Sequence, residues 1–266
     1  MQESLERLPP LIFIVAFAAF WTWEWIDAAR AASGERGRKG RNLALTGINF
    51  VLAGVIASIL VAASAWVARQ RWGLAGAEWP QWLVVLLGVL ALDLTEYARH
   101  RISHRIPLLW RLHRVHHTDV QVDVTTSLRS HPLEQALHPL FDAAAVLLVG
   151  IGPLTLAVHA LVQIATLLFQ HANIALPPRL DRIIALLTPT PGYHVVHHSR
   201  RRFQTDSNYG ACLTIWDRLF GTWQPSDSEI ALGLDGFDAA RDRSLVGLLA
   251  NPWRENRTSP PLAGEG

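Results

Sequence analysis

The chain has one cysteine, Cys212, so it can form neither an intramolecular disulfide framework nor a CxxC metal site. Charge is also scarce: 17% of the 266 residues are Asp, Glu, Lys or Arg, and the formal net charge is +2. A pI of about 9.1 could suggest nucleic acid. With so small a net charge, and with the basic residues bunched between apolar runs, anionic lipid headgroups are the expected partner and nucleic acid is not. No repeat of fixed period is present, no haem- or flavin-binding segment is visible, and the carboxylate and Glu-x-x-His pairing of soluble di-iron bundles is missing.

Apolar residues are abundant. Half of the chain is hydrophobic, there are 11 tryptophans, and the mean hydropathy is positive at +0.19. Leu8 to Ile26 and Leu43 to Val67 are near or above the ~20 residues that cross a hydrocarbon core, and Trp82 to Ala98 forms a third run. The first run lacks a strongly basic leader and a small-residue cleavage site and ends in Trp21, Trp23 and Trp25, which reads as a retained helix with an interfacial tryptophan belt. A fourth region, Leu140 to Phe169, is broken at Gly150, Gly152 and Pro153, the chemistry of a turn, and is expected to be a helical hairpin.

Charge asymmetry suggests an orientation. Arg30, Arg36, Arg38, Lys39 and Arg41 follow the first run, whereas only Arg69 and Arg71 follow the second, so the first linker is expected to be cytoplasmic. The third run then returns the chain to that face at His100, and the hairpin keeps everything after it there. The expected architecture is all-α: one domain over residues 1–253, with about four membrane-embedded helical units, the last a hairpin, beneath a cytoplasmic helical cap. The expected setting is a bacterial inner membrane. The Pro- and Gly-rich tail 254–266 is expected to be disordered.

The histidines carry the chemistry. His100 and His104 are four apart, and H-x-x-H-H occurs twice, at His113, His116 and His117 and at His194, His197 and His198. Residues three and four apart share a helix face, so each box is expected to converge on one point. His131 and His171 are single additional candidates, while His138 and His159 lack clusters and are not expected to be ligands. Ten donors exceed what one ion takes and imply two metals, although imidazole alone does not select which metal. Asp93, Glu96, Asp119, Glu134, Asp206 and Asn208 are the polar groups placed to orient ligand imidazoles.

The segments around these boxes, DLTEYARHRISH, PLLWRLHRVHH, TSLRSHPLE, FQHANI, Thr190 to His198, DSNYG and WDRLFGTW, closely resemble the fatty acid hydroxylase superfamily, the sterol desaturase-like membrane proteins, over about 93–223. The resemblance implies a membrane-bound oxidoreductase with two non-haem iron ions. It would use O2 and electrons from a separate protein to hydroxylate or desaturate a C–H position of a lipid, whether fatty acyl, sterol, hopanoid or carotenoid. It also implies that the eight box histidines are iron ligands, completed by His131 and His171, with no catalytic group separate from them. A metal transporter or non-catalytic metal-binding membrane protein is the alternative, but it would need ionisable ligands at the midplane of its spans, whereas these clusters lie in Arg-rich segments beyond the runs. A bis-histidine haem protein would leave the third member of each box idle.

Overall fold

The computed structural model describes residues 2–32, 35–225, 230–237 and 243–254, with the side chains of residues 2–10, 51, 53 and 56 left aside. From 255 onward the expected disordered tail lies outside the described residues. Among them no β-strand occurs, only the isolated bridges Ala28 to Ile174 and Ser199 to Leu232.

Five long helices build the body: α1 Gln2–Ile26, α2 Arg38–Arg69, α3 Gln81–Arg105, α5 Pro132–Val149 and α6 Pro153–His171. The short helices α4 Pro107–His117, α7 Pro178–Ile184, α8 Pro191–His197, α9 Arg202–Thr205, α10 Ile215–Leu219 and α11 Leu245–Ala250 gather at one end. Pro107, Pro132, Pro153 and Pro191 each open their helix, where a missing N–H costs nothing.

The α5–α6 hairpin forms where the Gly-Ile-Gly-Pro sequence places it. Gly150 ends α5 in the left-handed conformation at φ 79°, and a Cβ there would lie 2.3 Å from the Trp72 carbonyl oxygen. The hairpin is longer than its apolar run: it starts at Pro132 and carries Glu134, His138 and Asp142 before the apolar stretch ends. Its helices of 18 and 19 residues extend about 27 and 28 Å. α2 packs on α5, α1 on α6, and α3 on both hairpin helices. The apolar core between them is small: Val67, Leu92, Ala145, Val146 and Ile151.

Contacts at the two ends fix the directions of the helices. Ser64 and Ala75 bond the 150–151 turn, so the end of α2, the start of α3 and the hairpin tip share one end. Arg30 bonds Asn173 and Arg38 bonds Asp119, which places the α1–α2 linker, the end of α6 and the histidine-bearing segments at the other. Among the described residues, α3 and α6 are long and apolar enough to cross a membrane, and Leu11–Ile26 of α1 and Ala57–Arg69 of α2 are shorter apolar stretches. The expectation is four embedded units; among the described residues two helices meet that measure.

The linker charges also differ from the sequence expectation. Arg38 is buried and pairs with Asp119 and Asp123, and Lys39 lies 4.5 Å over the Trp21 ring. Part of the apparent positive-inside signal is therefore an internal ion cluster that ties α2 to the 118–130 segment.

Candidate metal centre

Nine histidines converge at the end of the bundle in two abutting groups. His100, His104, His113, His117 and His197 form one, and His116, His171, His194 and His198 the other; within each group one ligand nitrogen per ring lies within 4.8 Å of all the rest. The final turns of α3 supply His100 and His104, α4 supplies the first box, α8 with its C-cap His198 supplies the second, and the last residue of α6 is His171.

Neither H-x-x-H-H box converges on one point. On α4 the i, i+4 pair His113 and His117 enters the five-membered group while His116 enters the other. From α8 and its C-cap, the pair His194 and His198 enters the four-membered group while His197 crosses over. Successive helical residues point about 100° apart, so His116 and His117 cannot share a centre, whereas residues four apart differ by only about 40°. Each box therefore contributes to both groups and binds them into one site. His117 and His198, from different groups, stack with centroids 4.8 Å apart.

The donor atoms face inward. Nε2 separations are 3.1 Å for His113–His117, 3.2 Å for His116–His171, 3.0 Å for His171–His194 and 3.3 Å for His194–His198. Two ligands on a metal at imidazole bond lengths of about 2.0–2.1 Å lie roughly 2.9–3.4 Å apart, depending on geometry, and the observed separations fall in that range. The buried Nε2 atoms of His104 and His197 have no hydrogen-bond partner among the described residues. Burial, reinforced by neighbouring imidazoles, holds His116, His117, His194 and His198 well below the usual imidazole range, and takes His197 down to about 3. The rings are thus neutral with lone pairs available, the state a metal needs.

Several rings are oriented through Nδ1. His113 bonds Glu134 Oε1 at 2.6 Å, His104 bonds Asp206 Oδ1 at 3.3 Å, and His100, His197 and His171 donate to the carbonyls of Tyr209, Ser207 and Leu167. Of the polar groups picked from sequence, Glu134 and Asp206 touch these rings; the rest do other work. Asp93 accepts from the Cys212 amide and Trp216 Nε1, Glu96 pairs with Arg99, and Asp119 accepts from Arg38, Asn42 and Thr126. Burial alone would raise the Asp119 carboxyl, but Arg129 and Arg38 bring it below its ordinary value. Asn208, at φ 54°, pins a turn through Tyr193 and Gln224.

His131 lies outside both groups. It is the N-cap of α5: Nδ1 accepts from the Leu133 amide and Nε2 donates to the Leu249 carbonyl. Both nitrogens are occupied in the neutral ring, so neither is free for a metal. His138 faces Arg99 Nη1 at 2.8 Å, and His159 is buried in α6, both apart from the groups.

The carbonyls of Tyr209, Ser207 and Leu167 were missed because backbone acceptors leave no side-chain signature. The DSNYG and WDRLFGTW segments are what place two of them. Buried Asp217 accepts from Tyr193 Oη, the Tyr209 and Gly210 amides and Thr222 Oγ1, which fixes the strand of chain that carries Ser207 and Tyr209. Trp216 of the second segment donates inward to Asp93.

A family model, fatty acid hydroxylase, matches residues 85–222, just over half of the chain, including all nine of these histidines. The chain belongs to the fatty acid hydroxylase family. Among curated relatives of this fatty acid hydroxylase family member, alkylglycerol monooxygenase of Danio rerio is 34% identical over 160 residues, 59% of this chain and 33% of that protein. Ornithine lipid hydroxylase OlsE of Rhizobium tropici is 30% identical over 180 residues, 66% of this chain and 52% of that protein. A cholesterol 25-hydroxylase-like protein of Danio rerio is 28% identical over 136 residues, 50% and 53% of the two chains. The chain thus spans about a third of the first relative and about half of the other two. No solved structure matches it.

Proposed function

We propose that this protein is an integral membrane, multi-pass di-iron oxygenase that hydroxylates an unactivated C–H position of a lipid, with its metal site on the cytoplasmic face of a bacterial inner membrane. The observation that carries the reading is the pair of abutting all-imidazole groups, buried but for the half-buried His100, at the ends of α3 and α6, two helices apolar enough to cross a membrane. Relatives whose names specify hydroxylation or monooxygenation of lipids favour hydroxylation over desaturation.

Five imidazoles, His100, His104, His113, His117 and His197, would hold one iron and four, His116, His171, His194 and His198, the other. The irons would supply the oxidising power that acid–base chemistry lacks, converting O2, two electrons and two protons with the lipid into an alcohol and water. The chain's own task is positional. Glu134, Asp206 and three carbonyls hold ring tautomers, and α3 and α6 carry three of the histidines, His100, His104 and His171, directly from apolar helix into the site, beside the bilayer from which an acyl chain would enter. The electrons would come from a separate donor protein.

The test is lipid analysis of aerobically grown cells with the intact gene, without it, and with His116→Ala. The intact gene should yield a lipid class one oxygen atom heavier than its precursor, absent in the other two. Loss of metal uptake with an unchanged lipid profile would replace this reading with a metal transporter.

A further inference from the structure

The two histidine groups differ in how the far sides of their rings are held. In the five-histidine group four Nδ1 atoms have partners, and two of those partners are the carboxylates of Glu134 and Asp206. In the four-histidine group only His171 is anchored, on the Leu167 carbonyl; the buried Nδ1 atoms of His116, His194 and His198 have no hydrogen-bond partner among the described residues, as is true of His117 in the first group.

That difference has two consequences for a bound cation. An imidazole that donates to a carboxylate is locked with its Nε2 lone pair free, and is a stronger ligand than one with an idle Nδ1. Nine neutral imidazoles also leave two dications uncompensated, so a carboxylate one ring away is the nearest offsetting charge. Both carboxylates that hydrogen-bond a ring serve the five-histidine group; the four-histidine group meets carboxylates only through space, Asp119 and Asp123 acting on His171 and Glu134 on His116. Glu134 is buried and 2.6 Å from His113, with His138 a longer second contact at 3.3 Å, whereas Asp206 is one-third exposed, 3.3 Å from His104 and shared with Arg202, so Glu134 carries the larger part.

We propose that the two metal positions are inequivalent and fill in order: the five-histidine position takes its divalent ion first and keeps it longest, and Glu134 is the positioning residue responsible. The proposal rests on the two-metal reading above.

The experiment titrates the whole, metal-free protein in detergent with Co(II), a visible-absorbing stand-in for Fe(II). Chelator competition reads the affinities and elemental analysis the stoichiometry. Two ions should bind in steps about tenfold or more apart. Glu134→Gln keeps an acceptor of the same size but removes its charge, and should weaken the first step by about 10- to 100-fold while sparing the second. Asp206→Asn, on a partly exposed side chain, should weaken the same step less, and gives a second reading if the first variant folds poorly. His117→Ala should abolish the first step and His198→Ala the second. Two ions bound with one affinity, or a Glu134→Gln effect confined to the second step, would overturn the ordering and leave the two-metal site standing. Saturation at one ion per wild-type chain would overturn the two-metal reading itself and the ordering with it.

Discussion

The helical body and the histidine-bearing end are solvated in opposite senses. Along the body, large apolar side chains point outward: Ile14, Phe50, Val55, Leu140 and Leu148 are 61–79% exposed, around a small core cluster of Val67, Leu92, Ala145, Val146 and Ile151. At the other end the buried groups are polar: Asp119, Asp123, Thr125, Arg129, Asn208, Asp217 and the histidines themselves. A soluble protein does not leave so much apolar surface bare, so the body requires a non-aqueous surround. The cap draws its order from hydrogen bonds and ion pairs instead, where each lost partner strands a buried polar group. One half depends on its solvent, the other on its internal network. Substitutions should therefore act differently in the two halves.

The largest effect is expected in the cap. Asp217→Ala removes a carboxylate that satisfies four buried donors, Tyr193 Oη, the Tyr209 and Gly210 amides and Thr222 Oγ1. At about 1–3 kcal/mol for each donor left unsatisfied, the cap should lose about 4 kcal/mol or more. Metal content should fall with it, because the carbonyls that orient His100 and His197 sit on the released segment. Circular dichroism should show the long helices retained; their collapse together with the cap would mean the two halves are one cooperative unit.

In the body the matching test is Gly150→Ala. The left-handed backbone costs a side-chain-bearing residue about 1–2 kcal/mol, and the new Cβ would press on the backbone of Trp72 and Gly73. The hairpin tip should loosen by about 2–3 kcal/mol in detergent, read as increased protease cleavage near 150. The histidine groups, at the other end of α5 and α6, should keep their metal. Equal loss of metal would erase the distinction between the halves.

The sequence disclosed those parts whose cause is local. Two H-x-x-H-H boxes and His100 with His104 are legible because helical spacing fixes what shares a face, and the hairpin is legible because Gly150, Gly152 and Pro153 permit little else. The division of each box between two centres was not, since it depends on how α4 meets α8 across more than seventy residues of chain. Arg38 read as a loop charge because nothing near it in sequence announces Asp119 and Asp123. His131 followed by Pro132 has the same appearance whether the imidazole binds a metal or caps a helix.

His131 gives the smallest expected effect and sits at the seam of the two halves. Its Nδ1 caps α5 and its Nε2–H ties that helix to Leu249, with the ring against Trp253. His131→Ala should cost about 1–2 kcal/mol, the value of a cap and one further hydrogen bond, and leave metal content unchanged; loss of a metal would return His131 to the ligand set. His131→Asn keeps a capping acceptor and should recover part of the loss. The pH dependence has a definite sign. Burial lowers the His131 imidazole below its ordinary 6.5, so the unfolded chain binds the extra proton first. The contribution of His131 is full above 6.5 and declines as pH falls below it, because a proton on Nδ1 removes the capping lone pair. Denaturant midpoints of wild type and His131→Asn should therefore converge on acidification, and a gap that stays constant from neutral pH downward would mean that the imidazole acts there by packing alone.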